Sequence, residues 1–159
     1  TYNAAISACE KRKQPGRALA LFESMPQQAV TPNVVSYSAV ISACEKGHLW
    51  EWALNMLVKM QKQDVEPNLI SFNAAISACT KGKQSDRALK LFEGMRDRDL
   101  VPDTITYNAA INACTQGKQP DRALELFEGM QLNALAPTWI TLTAAISACE
   151  QGHRPYRAL

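Results

Sequence analysis

Histidine is almost missing from this 159-residue chain, which has two of them, and aromatic residues make up only 7%. His48 and His153 take the same place in units that lie far apart along the sequence, so they cannot converge on one substrate; both read as solvated turn residues. No glycine-rich phosphate loop, His-Glu-x-x-His helix or Gly-x-Ser-x-Gly elbow occurs. Glu23, Glu93, Glu125 and Glu128 stand beside Arg87, Lys90 and Arg122 at helix-pair spacings, the pattern of a solvated face. The expectation is a protein without catalysis, cofactor or metal. No apolar run approaches the roughly 18 residues of a membrane-spanning helix. Net charge is only +2, too small to announce a polyanion by itself.

Cys-x-x-Cys pairs are also absent, although five cysteines are present. Cys9, Cys44, Cys79, Cys114 and Cys149 recur once per unit, which puts neighbours about one helix-packing distance apart, roughly 8–10 Å. A disulfide needs Cα atoms closer than about 7 Å, and zinc needs four ligands around one point. The cysteines read as small buried residues in a reducing compartment.

What the chain does have is a period. Tyr2-Asn3-Ala4-Ala5-Ile6 returns as Tyr37-Ser38-Ala39-Val40-Ile41, Phe72-Asn73-Ala74-Ala75-Ile76, Tyr107-Asn108-Ala109-Ala110-Ile111 and Leu142-Thr143-Ala144-Ala145-Ile146, every 35 residues. Fixed periods of this size mean stacked copies of one supersecondary unit. The array divides into 1–33, 34–68, 69–103, 104–138 and 139–159, the first lacking two residues and the last breaking off inside its second helix. The chain opens on Thr1 without Met, so it reads as a piece of a longer protein and the lack of a leader is uninformative.

Each unit predicts a helical hairpin. In the second, Val35, Tyr37, Val40, Ile41 and Cys44 trace an apolar face from about residue 36 to 46, with Ser36 as N-cap; Thr1, Ser71, Thr106 and Thr141 stand in the same place. Gly47, Gly82, Gly117 and Gly152 are expected to end the first helix in the left-handed conformation. A second helix spans roughly 50 to 62. Ala18, Ala53, Ala88, Ala123 and Ala158, with Ala8, Ala43, Ala78, Ala113 and Ala148, let the hairpin close. Pro32, Pro67, Pro102 and Pro137 stop the second helix, and Pro26 predicts an early stop near Met25. The fold class is therefore all-α: a right-handed α-solenoid of stacked antiparallel helical hairpins.

Charge is placed unevenly. The ends of the first helices and the turns after them hold Lys11, Arg12, Lys13, Lys46, Lys81, Lys83, Lys118 and Arg154 against Glu10, Glu45 and Glu150, while the remainder is mildly acidic. A basic edge of this kind suits a polyanion lying along the stack. One polar column also varies in an otherwise apolar setting: Asn3, Ser38, Asn73, Asn108 and Thr143. With Ser and Thr read as caps, asparagine is not needed there for helix initiation, and its amide offers a donor and an acceptor together. These residues are expected to face outward.

The pattern Val-x-Ser/Thr-Tyr-Asn-x-x-Ile, Lys-Gly, Ala-Leu-x-Leu-Phe-x-x-Met and a closing Pro-Asn/Asp resembles the plain 35-residue pentatricopeptide repeat, over the whole chain. The resemblance implies sequence-specific binding of single-stranded RNA, one base per repeat. It places Asn3, Ser38, Asn73, Asn108 and Thr143 at the base edge, together with the last residue of each repeat, Asn33, Asn68, Asp103 or Thr138. Val35, Ile70, Ile105 and Ile140 would pack on base faces, and Lys11, Lys46 and Lys81 would meet phosphate, with Gln116 and Gln151 replacing that lysine later.

The family's pairing rule implies cytosine for Asn3 with Asn33, adenine for Ser38 with Asn68, uracil for Asn73 with Asp103, a pyrimidine for Asn108 with Thr138 and a purine for Thr143. The RNA expected is 5′-C-A-U-pyrimidine-purine-3′, and the setting a mitochondrion or chloroplast, in transcript processing, stabilisation, editing or translation. The alternative is a tetratricopeptide-like scaffold holding a peptide in its groove, but that period is 34. Trp50 and Trp52 fall on a second helix, away from the expected groove, and Trp139 opens a repeat nearer to it.

Overall fold

A computed structural model describes residues 1–152; Ala158, His153 and Arg154, named above, lie outside the described residues. The described residues form nine helices and no strand: α1 Tyr2–Lys11, α2 Pro15–Gln27, α3 Val34–Lys46, α4 Trp50–Lys62, α5 Leu69–Lys81, α6 Ser85–Arg96, α7 Thr104–Gln116, α8 Pro120–Leu132 and α9 Trp139–Gln151. No described helix is long and apolar enough to cross a membrane. The chain divides into two compact units, Thr1–Gly82 and Lys83–Leu159, the boundary falling in the turn between α5 and α6.

In the first unit α1 and α2, and α3 and α4, pair as hairpins; α1, α3 and α5 pack side by side, and each second helix leans on the first helix of the next repeat. Ile6, Ile41 and Ile76 are fully buried, as are Ala18, Ala53 and Met60. Tyr37 meets the Phe22 ring edge-on at 4.7 Å between centroids, and its hydroxyl donates to Gln63 Oε1 at 2.6 Å. One aromatic thus ties the preceding repeat to the C-terminal end of its own second helix. The second unit repeats this arrangement: Phe92 and Tyr107 pack edge to face at 5.3 Å, and Asn133 Nδ2 donates to the Tyr107 hydroxyl at 3.0 Å.

Four local expectations are corrected. The first helices of repeats 2 to 5 begin two residues earlier than the pattern predicted, because the N-caps are Asn33, Asn68, Asp103 and Thr138. Ser36, Ser71, Thr106 and Thr141 are instead the third helical residue, and each side chain returns a bond to the cap's backbone N–H in a reciprocal capping box. Only Thr1 stands at an N-cap, and its side chain makes no capping bond.

Glycine is not the left-handed residue. Gly47, Gly82 and Gly117 have φ of −89°, −79° and −78°. The next residue takes the positive φ: His48 at 60°, Lys83 at 56°, Lys118 at 53°, as does Lys13 at 53°. Glycine is required by close approach. A Cβ at Gly47 would overlap the Pro15 ring and one at Gly82 the Trp50 indole, while at Gly117 it would stand 2.9 Å from Ser85 Cβ. The turn of one repeat therefore rests on the first residue of the preceding second helix.

Helix α2 runs through Pro26 to Gln27. Proline in the last turn removes a single intrahelical bond. The buried Met25 side chain and the bonds from Gln28 and Val30 N–H to Met25 O hold the turn closed. Ala8 is exposed although its own second helix α2 is present, whereas Ala43, Ala78, Ala113 and Ala148 are fully buried, so in the first repeat this alanine is not covered by hairpin closure.

Candidate nucleic-acid interface

Residues 35, 38, 42 and 46 of α3 fall at helical spacings of three and four and share one face. The first helices of repeats 2 to 5 present the same order from the N-terminal end, an apolar residue, the variable polar residue, a small polar residue, and a lysine or glutamine, and α1 carries the last three. Val35, Ile70, Ile105 and Ile140 are between 44% and 63% exposed, so the protein leaves this apolar column largely uncovered. Ser7, Ser42, Ser77, Asn112 and Ser147 form the third column, which the sequence reading did not single out. Their signal was available: they recur at the same period, four residues after the variable column.

Within each unit the two columns expected to share one base are brought together. Asn3 Nδ2 lies 3.5 Å from Asn33 Oδ1, Ser38 Oγ donates to Asn68 Oδ1 at 3.2 Å, and Asn108 Nδ2 donates to Thr138 Oγ1 at 3.2 Å. Asn73 is half-buried on α5 in the first unit, and Asp103 caps α7 in the second, accepting from Thr106 N–H at 2.9 Å. Thr143 is exposed, and its hydroxyl donates to Trp139 O at 2.8 Å. The expectation that this column faces outward is corrected in part: Ser38 is only 6% exposed, and Asn3 and Asn108 are half-buried. Side chains on a helix lean toward its N-terminus, which turns these groups toward the cap of the following repeat.

Capping fixes how the last residue of a repeat presents itself. Asn33 Oδ1 accepts from Val35 and Ser36 N–H, both at 3.1 Å, and Asn68 Oδ1 from Ser71 N–H at 3.0 Å. With the oxygen committed to the helix, the Nδ2 groups of Asn33 and Asn68 point away from it, and neither donates to any described residue. An aspartate in the same place offers a carboxylate oxygen where asparagine offers N–H.

The basic edge is partly neutralised. Lys46 Nζ meets Glu10 Oε1 at 2.6 Å, and Lys81 Nζ meets Glu45 Oε1 at 2.5 Å, each reaching back one repeat. Ser77 Oγ also donates to Glu45, at 2.8 Å. Lys11 has no carboxylate partner among the described residues. On the other layer Arg122 pairs with Glu93 of α6, so that pair joins helices and does not brace one. Trp52 and Trp139 are exposed, and Trp50 lies against Gly82. None of the five cysteines is in a disulfide, and burial pushes the Cys44 thiol up to about 11.

Family comparison follows the same repeats. The PPR repeat family matches residues 1–46, 67–116 and 102–151, the pentatricopeptide repeat domain matches 51–82, and the PPR repeat matches 35–65. A comparison with curated proteins gives no match. Among solved structures, the pentatricopeptide repeat protein PPR10 from maize is similar at TM-score 0.80 and 19% identity, over 99% of this chain and 22% of that one. PPR10 in complex with an 18-nucleotide psaJ RNA element gives 0.81 at 25% identity, over 99% and 23%. The PPR domain of Arabidopsis thaliana protein-only RNase P 1, in complex with tRNA, gives 0.86 at 16% identity, over 99% and 86%. The chain thus spans less than a quarter of the PPR10 chains it resembles. Repeat period, hairpin geometry and family match agree, against the tetratricopeptide-like alternative: the chain belongs to the pentatricopeptide repeat family.

Proposed function

We propose that this chain binds single-stranded RNA sequence-specifically, one base per repeat, with 5′-C-A-U-pyrimidine-purine-3′ as its preferred segment. Asn3 with Asn33, Ser38 with Asn68, Asn73 with Asp103 and Asn108 with Thr138 read successive base edges, and Thr143 reads the next. Val35, Ile70, Ile105 and Ile140 separate the bases, and Lys11, Lys46 and Lys81 meet phosphates. The reading is of a binding module without chemistry of its own, serving RNA processing, stabilisation, editing or translation in a mitochondrion or chloroplast, as its family resemblance implies.

The observation that carries this reading is the hydrogen-bonded pairing of two polar columns beside an exposed apolar one. Paired donors and acceptors suit a base edge, and an uncovered aliphatic side chain suits a base face. RNA in the solved complexes of PPR10 and the RNase P domain supports the general class.

Equilibrium binding to five-nucleotide RNAs tests it. The proposed segment should bind more tightly than one with adenine replaced by uracil, and affinity should fall as salt rises. Equal affinity for the two RNAs sinks the assignment of Ser38 and Asn68. Binding indifferent to salt and sequence sinks the RNA reading.

A further inference from the structure

The capping hydroxyls do more than cap. Ser36 Oγ accepts from Asn33 N–H at 3.2 Å and lies 2.7 Å from Asn3 Oδ1, closer than its 3.1 Å to Asn33 Oδ1. In the second unit Thr141 Oγ1 accepts from Thr138 N–H at 2.9 Å and donates to Asn108 Oδ1. Ser36 and Thr141 are both fully buried, so no solvent competes for the hydroxyl proton. The same relay thus occurs independently in each unit, from a cap of one repeat to the variable asparagine of the repeat before.

We propose that Ser36 and Thr141 are positioning residues for base choice, each fixing the carboxamide of the preceding repeat's asparagine so that it shows one defined edge. This rests on the RNA-binding reading above. A carboxamide that turns over exchanges its donor for its acceptor and its preference among bases. One lone pair of the Ser36 hydroxyl accepts the cap N–H, and its oxygen lies 2.7 Å from Asn3 Oδ1 against 3.1 Å from Asn33 Oδ1, so it donates to the nearer oxygen and the carboxamide turns that oxygen toward it. Asn3 then directs Nδ2 toward Asn33 and Asn108 directs Nδ2 toward Thr138, leaving one N–H and one oxygen lone pair on a fixed side.

Repeat 2 supplies an internal control. Ser38 is too short to reach the following hydroxyl, and Ser71 Oγ donates instead to Asn68 O at 2.8 Å. Ser71 still completes the capping box, accepting from Asn68 N–H at 3.0 Å. Removing either serine hydroxyl costs a cap, but only Ser36 holds an asparagine.

The experiment compares the unsubstituted chain with S36A, S36T and S71A by two readouts: side-chain amide order of Asn3 by NMR without RNA, and affinity ratios for RNAs varied at one base. S36A should loosen the Asn3 amide and lower discrimination at the repeat 1 base by about threefold to tenfold, the worth of one neutral hydrogen bond. S36T should restore both, and S71A should leave discrimination at the repeat 2 base unchanged. Undiminished discrimination in S36A, an Asn3 amide as ordered as before, or an equal loss in S71A overturns the positioning role alone. Absence of RNA binding by the unsubstituted chain overturns the functional reading, and the role in base choice with it, whatever the amide order.

Discussion

Lys81 reaches back one repeat to Glu45, Nζ to Oε1 at 2.5 Å, and Ser77 from the preceding turn of the same helix donates to that carboxylate too. The carboxylate therefore holds a cation on the face proposed for RNA. An ion pair with side chains 40% and 14% exposed adds little stability, and its larger effect is on a competing polyanion. E45Q should release Lys81, tighten RNA binding and steepen the dependence of log affinity on log salt by up to about 0.7, one phosphate contact on a single strand. Titrations at several salt concentrations measure this; an unchanged slope would show that Lys81 meets no phosphate.

The cap at residue 68 separates folding from recognition. N68A should cost about 1 kcal/mol in urea unfolding, because Asn68 Oδ1 is the side-chain acceptor for the Ser71 N–H in the first turn of α5. N68D keeps the accepting oxygen and should stay within about 0.5 kcal/mol of the unsubstituted chain. It replaces the outward N–H by an acceptor, so its base preference at repeat 2 should change. A preference identical in N68D would remove residue 68 from the reading face.

Two glycines should respond in opposite directions to alanine. At Gly82 a Cβ overlaps the Trp50 indole, and G82A should destabilise by about 1–3 kcal/mol through overpacking. At Gly94, inside α6, a Cβ meets nothing within 4 Å, and G94A should stabilise by about 0.5–1 kcal/mol through helix propensity. Thermal unfolding of both variants decides it, and a tolerated G82A would refute close approach as the reason for that glycine.

Burial pushes the thiols of Cys44 and Cys114 up to about 11; for Cys114, Arg122 works against burial, and Glu125 and Glu93 with it. Folded values above the ordinary 9.0 mean that both thiols favour folding fully below about pH 9 and that this contribution is lost between about pH 9 and 11. The urea midpoint should fall across that window, and less so in a C44A/C114A variant, which separates thiols from lysines titrating nearby. Ellman's reagent at pH 8 should modify half-buried Cys9 well before the other four, which are buried. Uniform modification of the native chain would contradict this.

The period, the helix pairs and the buried face were legible because each repeats: Ile41 or Ala53 read once is ambiguous, but read in register it is not. The cap was misread for a physical reason. Asn33 and Ser36 are both good N-cap residues, and a reciprocal box gives each of them half of the role. Gly47 and Gly82 looked like left-handed helix ends, since local sequence cannot reveal that Pro15 or Trp50 of the previous repeat lies against them. The lysine pairs were hidden by distance, 36 residues along the chain but one repeat in space. Ser38 shows the same limit at the candidate site, where its variability was visible and its burial was not.

Because the last residue of each repeat starts the next helix, its choice is governed by helix initiation before any ligand arrives. Only a few side chains can begin a helix well, chiefly Asn, Asp, Ser and Thr, and those are also compact polar groups whose sets of donors and acceptors differ. Retargeting such an array at that column therefore draws on an alphabet of about four letters already screened for folding. On the RNA reading proposed above, reprogramming the preferred sequence need not cost the scaffold its integrity, provided the substitutions stay inside that alphabet.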